Sequence, residues 1–258
     1  MLNKTNIINN LKEDGYTIIE NYFDARELAE IKNSLLETLN YIHPSDETDL
    51  NKKYYEVKNF NSKLKGNWYD IAPYNLSLLT LLHKKELIEI IKSYFNTKVL
   101  FSGRPCIHAH DDVNQHLLDA HQETCQFAVD NLVFWSPIDD TNEDNGGLSV
   151  FLDSHDKGYF DHKLQHPEKE NVWTKDYTHI PENITSKFKK INLNVKGGSA
   201  VLMKSSMIHC GDPTKKPGHL RITLTERFNP LRKLPFLKNE SSPMKIPYVG
   251  IDYNSIQD

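Results

Sequence analysis

The feature that most constrains this chain is a change of texture near residue 98. Beyond it, short β-prone runs at 99–101, 127–135, 148–152, 191–195, 200–203 and 220–225 alternate with polar and turn residues. Asn145-Gly146-Gly147 and Gly197-Gly198 are the strongest turn signals between them. Many short strands can bury their apolar faces only by pairing into a closed or double sheet.

The part before residue 98 reads as helical. Asp24 followed by Glu27 has the form of a capping box, and Leu28, Ile31, Leu35 and Leu39 recur at helical spacing over about 25–42. A short strand at 16–20 is expected before that helix, a polar loop at 43–65 after it, and a second helical zone over 76–96. The expected fold is therefore mainly β with flanking helices: a double-stranded β-helix (jelly-roll) core with N-terminal helices packed outside. A single domain over 1–258 is expected, with a helical part at 1–97, a β core at 98–230, and an irregular tail at 231–258. Residues 156–189, rich in Lys, His and Pro, read as an insertion, either a lid over the barrel mouth or a surface excursion.

Composition excludes some functions. A net charge of −4 and a pI near 6.3 leave no electrostatic footprint for nucleic acid, and the dispersed lysines do not suit a membrane surface. Three cysteines without CxxC spacing argue against disulfide or zinc-ribbon scaffolds and fit a reducing compartment. The N-terminus lacks the apolar core of a signal peptide, and no apolar run is long enough to span a bilayer. A cytoplasmic location is the expectation.

On a strand, residues i and i+2 point to one side, so His-x-acid aims an imidazole and a carboxylate at one point, as a metal site of the two-histidine, one-carboxylate kind requires. With 12 histidines and 35 acidic residues, about one or two such pairs arise by chance. Three occur. His166–Glu168 encloses Pro167 and lies in the insertion, and His110–Asp112 runs into a turn-like sequence. His121–Glu123 leads into the long β-prone stretch ending at Trp135 and has the best setting.

From there the order of motifs resembles the phytanoyl-CoA dioxygenase-like family. His121-Gln122-Glu123, Leu132-Val133-Phe134-Trp135, Glu143-Asp144-Asn145-Gly146-Gly147 and Ser154-His155-Asp156-Lys157-Gly158 follow one another as that family's His-Gln-Asp, tryptophan strand, acidic turn and Gly-Ser-His-Lys-x-Gly stretch do. Gly197-Gly198 with 199–202, then Ile208-His209, resemble its glycine turn, apolar strand and distal histidine. The similarity spans roughly residues 120–228. The chain departs from the pattern at Glu123, where the family usually has Asp, and at Leu152-Asp153, where it usually has Pro-Gly.

The resemblance implies a mononuclear Fe(II) centre held by His121, Glu123 and His209, with 2-oxoglutarate as cosubstrate, O2 as oxidant and a small molecule as prime substrate. Arg221, twelve residues after His209, falls near the family's cosubstrate arginine, and a guanidinium fork suits a carboxylate. Thr223, two residues on, makes an Arg-x-Thr similar to the Arg-x-Ser of many 2-oxoglutarate enzymes. Trp135 matches a tryptophan beside the cosubstrate, or is simply core. Arg104, His108, His110 and Gln115 are candidate pocket residues. The implied reaction is hydroxylation of an unactivated C–H bond of a polar small molecule. The retained Glu123 argues against the halogenating relatives, which replace this carboxylate with a small residue. A hydrolase or isomerase using another divalent metal and a non-catalytic jelly-roll binding protein are the competing classes.

Overall fold

The structure, a computed structural model, describes residues 2–61, 75–102, 105–111, 119–123, 131–164 and 178–230. The chain opens with α1 (Lys4–Glu13), β1 (Tyr16–Ile19) and α2 (Ala25–Ile42). The Asp24/Glu27 capping box forms in both directions, and Ile31, Leu35 and Leu39 are the buried face of α2. Helix α3 (Leu50–Phe60) then occupies the middle of the segment expected to be loop. It buries only Lys53, Tyr54 and Val57, too few apolar positions to show a helical period. Its attachment is polar and long-range: the Tyr54 hydroxyl and the Lys58 ammonium both donate to buried Asp111, at 3.1 and 2.6 Å.

The second helical zone divides into α4 (Leu76–Leu82) and α5 (Lys85–Phe95), which part at His83-Lys84. There follow β2 (Phe101–Ser102), β3 (Cys106–Asp111), β4 (Leu132–Pro137), β5 (Leu148–Phe151), β6 (Lys163–Leu164), β7 (Thr178–His179), α6 (Glu182–Thr185), β8 (Lys190–Leu193), β9 (Ala200–Lys204), β10 (His209–Gly211) and β11 (Leu220–Asn229). Of the expected insertion, β6 pairs with β7 as a small hairpin and α6 follows, while 165–177 lie outside the described residues. The expected irregular tail at 231–258 lies outside them too, as do Arg104, Gln115 and the 127–130 part of one expected strand.

The strands form two main antiparallel sheets. The larger has the order β1-β9-β4-β11-β2, with β3 also paired to β11, and the smaller has the order β10-β5-β8. The period of two along each strand explains how they stack. Val133 and Trp135 of β4 and Val201 and Met203 of β9 join Leu148, Val150 and Leu193 of the smaller sheet in one apolar cluster, so the sheets face each other. The alternate residues Phe134, Leu202, Ile222, Leu224 and Phe228 pack instead against the helices. Each such fully buried side chain is worth roughly 1.5–3 kcal/mol, enough to fix the register of every strand. This is the mainly β fold with helices outside that the sequence led us to expect. No helix among the described residues is long and apolar enough to cross a membrane.

One polar contact fastens the α4/α5 junction to the larger sheet. His83 Nε2 lies 2.9 Å from Glu226 Oε2, which also accepts from Ser102 at 2.7 Å, and Glu226 is fully buried. Burial alone would lower the His83 pKa, but the contact with Glu226 outweighs it and raises the value above 6.5. The folded state thus favours the imidazolium. Its stabilisation is complete below pH 6.5, the unfolded value, and fades as pH rises through the raised one. Thermal denaturation of wild type and His83→Gln across pH 5.5–9 should show a wild-type advantage of about 1 kcal/mol at the acidic end that shrinks with rising pH. A constant gap would contradict this linkage.

Candidate metal centre

His121, Glu123 and His209 come together between the two sheets. The three side chains each offer a ligand atom within 4.8 Å of the others, and all are buried. They do not share one regular strand. His121 forms an isolated antiparallel bridge with His209, each N–H donating to the other's carbonyl at 3.0 Å. Two residues on, the Glu123 N–H donates to Ser205 O at 3.1 Å, in the turn between β9 and β10. The i, i+2 geometry expected of His-x-Glu is thus met by a short bridged segment.

Both imidazoles are held in one tautomer. His121 Nδ1 lies 2.7 Å from Asp119 O and His209 Nδ1 3.0 Å from Met207 O. A carbonyl can only accept, so each Nδ1 carries the proton and each Nε2 presents a lone pair. Those lone pairs point at Glu123 Oε1, 3.8 Å from His121 Nε2 and 3.7 Å from His209 Nε2. Burial, with the neighbouring imidazole, lowers the His209 pKa below 6.5 and so keeps it neutral. Burial alone would raise the pKa of Glu123, but Arg227 together with the His121 and His209 imidazoles outweighs it and holds the carboxyl well below the usual carboxylate range. With both rings neutral, two Nε2 lone pairs and a carboxylate oxygen converge, an arrangement that a cation completes.

A sequence model of the phytanoyl-CoA dioxygenase family matches residues 11–219. The chain belongs to that family. Solved structures agree on the fold at low identity. AviO1 from Streptomyces viridochromogenes Tue57 is 12% identical with a TM-score of 0.60, over 91% of this chain and 98% of that one. The epimerase SnoN from nogalamycin biosynthesis, in complex with Fe3+, α-ketoglutarate and nogalamycin RO, is 12% identical with a TM-score of 0.62, over 87% and 82%. EctD from S. alaskensis, with 2-oxoglutarate and 5-hydroxyectoine, is 12% identical with a TM-score of 0.59, over 89% and 76%. A search of curated proteins finds no match.

The family's motifs have visible structural work in this chain. Asp153 stands where the family usually has glycine, and it adopts the left-handed conformation glycine would favour, φ +63°. The departure in sequence therefore leaves the turn intact. Ser154 Oγ accepts from Ile208 N at 2.9 Å, and His155 O accepts from Ser206 Oγ at 2.8 Å, so this stretch buttresses the approach to His209. Gln122, between His121 and Glu123, donates to Gly158 O and Ser206 O and accepts from Phe160 N, which ties the start of the insertion to the site.

The inward face of β11 carries Arg221, Thr223, Thr225 and Arg227, paired across to His110, His108 and Cys106 of β3 and to Pro137, Trp135 and Val133 of β4. Arg221 Nη1 donates to Gly146 O and to Gly147 O (3.3 Å), and Nη2 contacts His110 Nδ1. Its buried Nε has no hydrogen-bond partner. Burial lowers the Arg221 pKa to about 10, still fully charged at neutral pH. Gly146, φ +89°, lets the turn come this close, since a Cβ there would sit 3.5 Å from Arg221 Cδ and 3.3 Å from Asp212 O. Thr223 is buried on the same face, and Trp135 packs in the cluster between the sheets. Of the four candidate pocket residues, His108 and His110 line this interior, with His108 Nε2 3.2 Å from Thr225 Oγ1. Sequence reading missed Arg227, although it lies an even number of positions from Arg221 on one strand.

Because the donors are assembled before any cation arrives, Mn(II), Co(II) or Fe(II) should raise the melting temperature. At a hundredfold excess over Kd the gain is about 2.7 kcal/mol. His209→Ala should abolish the shift, and a His209→Ala protein stabilised as strongly as wild type would refute the assignment.

Proposed function

We propose that the protein is an Fe(II)- and 2-oxoglutarate-dependent oxygenase that hydroxylates a polar small molecule, with His121, Glu123 and His209 as the metal ligands. The observation that carries this reading is the convergence of two Nε2 lone pairs and a carboxylate oxygen in a buried site of a phytanoyl-CoA dioxygenase family member. Together with 2-oxoglutarate and O2, the iron supplies the oxidising power to attack an unactivated C–H bond, with succinate and CO2 as coproducts.

The chain's own groups then have defined tasks. The Asp119 and Met207 carbonyls keep both imidazoles oriented. Arg221 is the anchor for the far carboxylate of 2-oxoglutarate: its buried Nε lacks a partner, and Nη2 beside it, already in contact with His110, completes the edge of the fork that such a group takes. Thr223, two positions on, presents its hydroxyl side to the same interior, and Trp135 walls it. The facing sheets exclude water from the reacting centre. His108, His110, Thr225 and Arg227 make that interior polar, which favours a polar or anionic substrate over a long acyl chain. Cys106 and Cys210, both buried thiols, fit a reducing, cytoplasmic setting.

Relatives of the same fold include an α-ketoglutarate-dependent epimerase and a carbocyclase, so hydroxylation is the part of this reading that the fold leaves open. A metal hydrolase built on the same three ligands would leave Arg221 without a task.

Anaerobic addition of Fe(II) and 2-oxoglutarate should produce the weak visible charge-transfer band of the chelate, absent in His121→Ala/His209→Ala. A wild-type protein without the band, or a double variant that keeps it, sinks the proposal. Arg221→Lys, which retains charge but not the fork, should weaken 2-oxoglutarate binding about tenfold or more while leaving metal binding within a factor of about three.

A further inference from the structure

Among the described residues, Arg227 makes the closest polar contact to the proposed metal carboxylate. Its Nε donates to Glu123 Oε2 at 3.2 Å and its Nη2 to Glu123 Oε1 at 3.1 Å, so the guanidinium spans both oxygens. The third arm, Nη1, donates to Thr225 Oγ1 at 3.1 Å, two residues back on the same face of β11. Arginine and glutamate are 5% and 4% exposed, so water does little to soften this pair. Each oxygen of a carboxylate has two lone pairs, and the fork uses one of each. Oε1 keeps the other, and it is the oxygen that faces His121 Nε2 and His209 Nε2.

The glutamate at this position has one more methylene, and one more rotatable bond, than the aspartate usual in the family. A longer ligand needs something to choose its rotamer. We infer that Arg227 is the positioning residue that does so: Glu123 and Arg227 form a matched pair in which the arginine fork fixes the longer carboxylate for metal binding. The inference rests on the assignment of Glu123 as a ligand. It also explains why a buried cation sits beside a cation site at all. The guanidinium charge repels a metal ion, and its geometric hold on Glu123 more than offsets that repulsion.

The pairing is tested by a double-mutant cycle on the full chain, read as Mn(II) affinity from the electron paramagnetic resonance of free Mn(II), with the visible spectrum of bound Co(II) as a second signal. Arg227→Met should weaken Mn(II) binding about 10–100-fold, the usual cost of losing the partner of a ligating group. In a Glu123→Asp background, whose shorter carboxylate withdraws from the fork, the same substitution should cost less than about threefold. Arg227→Lys keeps the charge without the fork and should fall between wild type and Arg227→Met. Arg227→Gln, which can still donate one hydrogen bond to Glu123, replaces the methionine variant in the cycle should that one fail to fold, as judged by its melting curve. Unchanged or tighter binding in the neutral variants overturns the inference, because charge would then dominate position. An equal loss in both backgrounds also overturns it, because the arginine would then act on the fold and not through Glu123. A wild-type protein that binds neither Mn(II) nor Co(II) would instead remove the metal assignment itself.

Discussion

Strand β11 has no solvent-facing side, and the rest of the molecule is arranged around that constraint. All ten of its residues are buried. Its even-numbered positions include Ile222, Leu224 and Phe228, which pack under the helices, and Glu226, which takes the His83 contact. Its odd-numbered positions, Arg221, Thr223, Thr225 and Arg227, project between the sheets. A slip of one residue would place two arginines and two threonines in the apolar layer and three large apolar side chains in the site. Burying those polar groups without partners costs several kcal/mol, so the register is fixed from both faces at once. The N-terminal helices are thereby part of the site's architecture, since they hold the outer face that keeps the inner face in place.

The polar interior is permitted because its groups, Arg221 Nε excepted, are largely hydrogen-bonded and because burial keeps some of its histidines neutral. His108, half-buried beside Arg227 and Arg221, has its pKa pushed down to about 3, chiefly by desolvation, so it is a neutral hydrogen-bonding group across the physiological range. His162 is similarly held, near 4. The interior therefore keeps cations where arginine supplies them, and these do not titrate away at neutral pH.

Much of this was legible in the sequence, for different reasons in different places. The α2 helix declared itself through a reciprocal cap and an apolar stripe, both local signals. The convergence of His121, Glu123 and His209 followed from the order of motifs along the chain, since His-x-Glu alone was no better than its two rivals. Helix α3 was illegible because its anchoring partner, Asp111, is more than fifty residues away and its own face is polar. Arg227 was passed over because the expected strand stopped at 225; β11 runs on to Asn229, and only that extension puts Arg227 on the face of Arg221. Asp153 illustrates the converse. A residue that broke the motif on paper adopts the backbone conformation the motif requires.

Gln122 sits between the two ligands in sequence and faces the other way. Its amide holds Gly158, Phe160 and Ser206, while its backbone N–H donates to His162 Nε2 at 3.0 Å. The start of the insertion and the ligand segment are consequently a single mechanical body. A sequence change that reshapes residues 158–162 to admit a different molecule must also strain the segment bearing His121 and Glu123. New specificity in this branch of the fold is therefore more accessible through loops that leave those four hydrogen bonds alone.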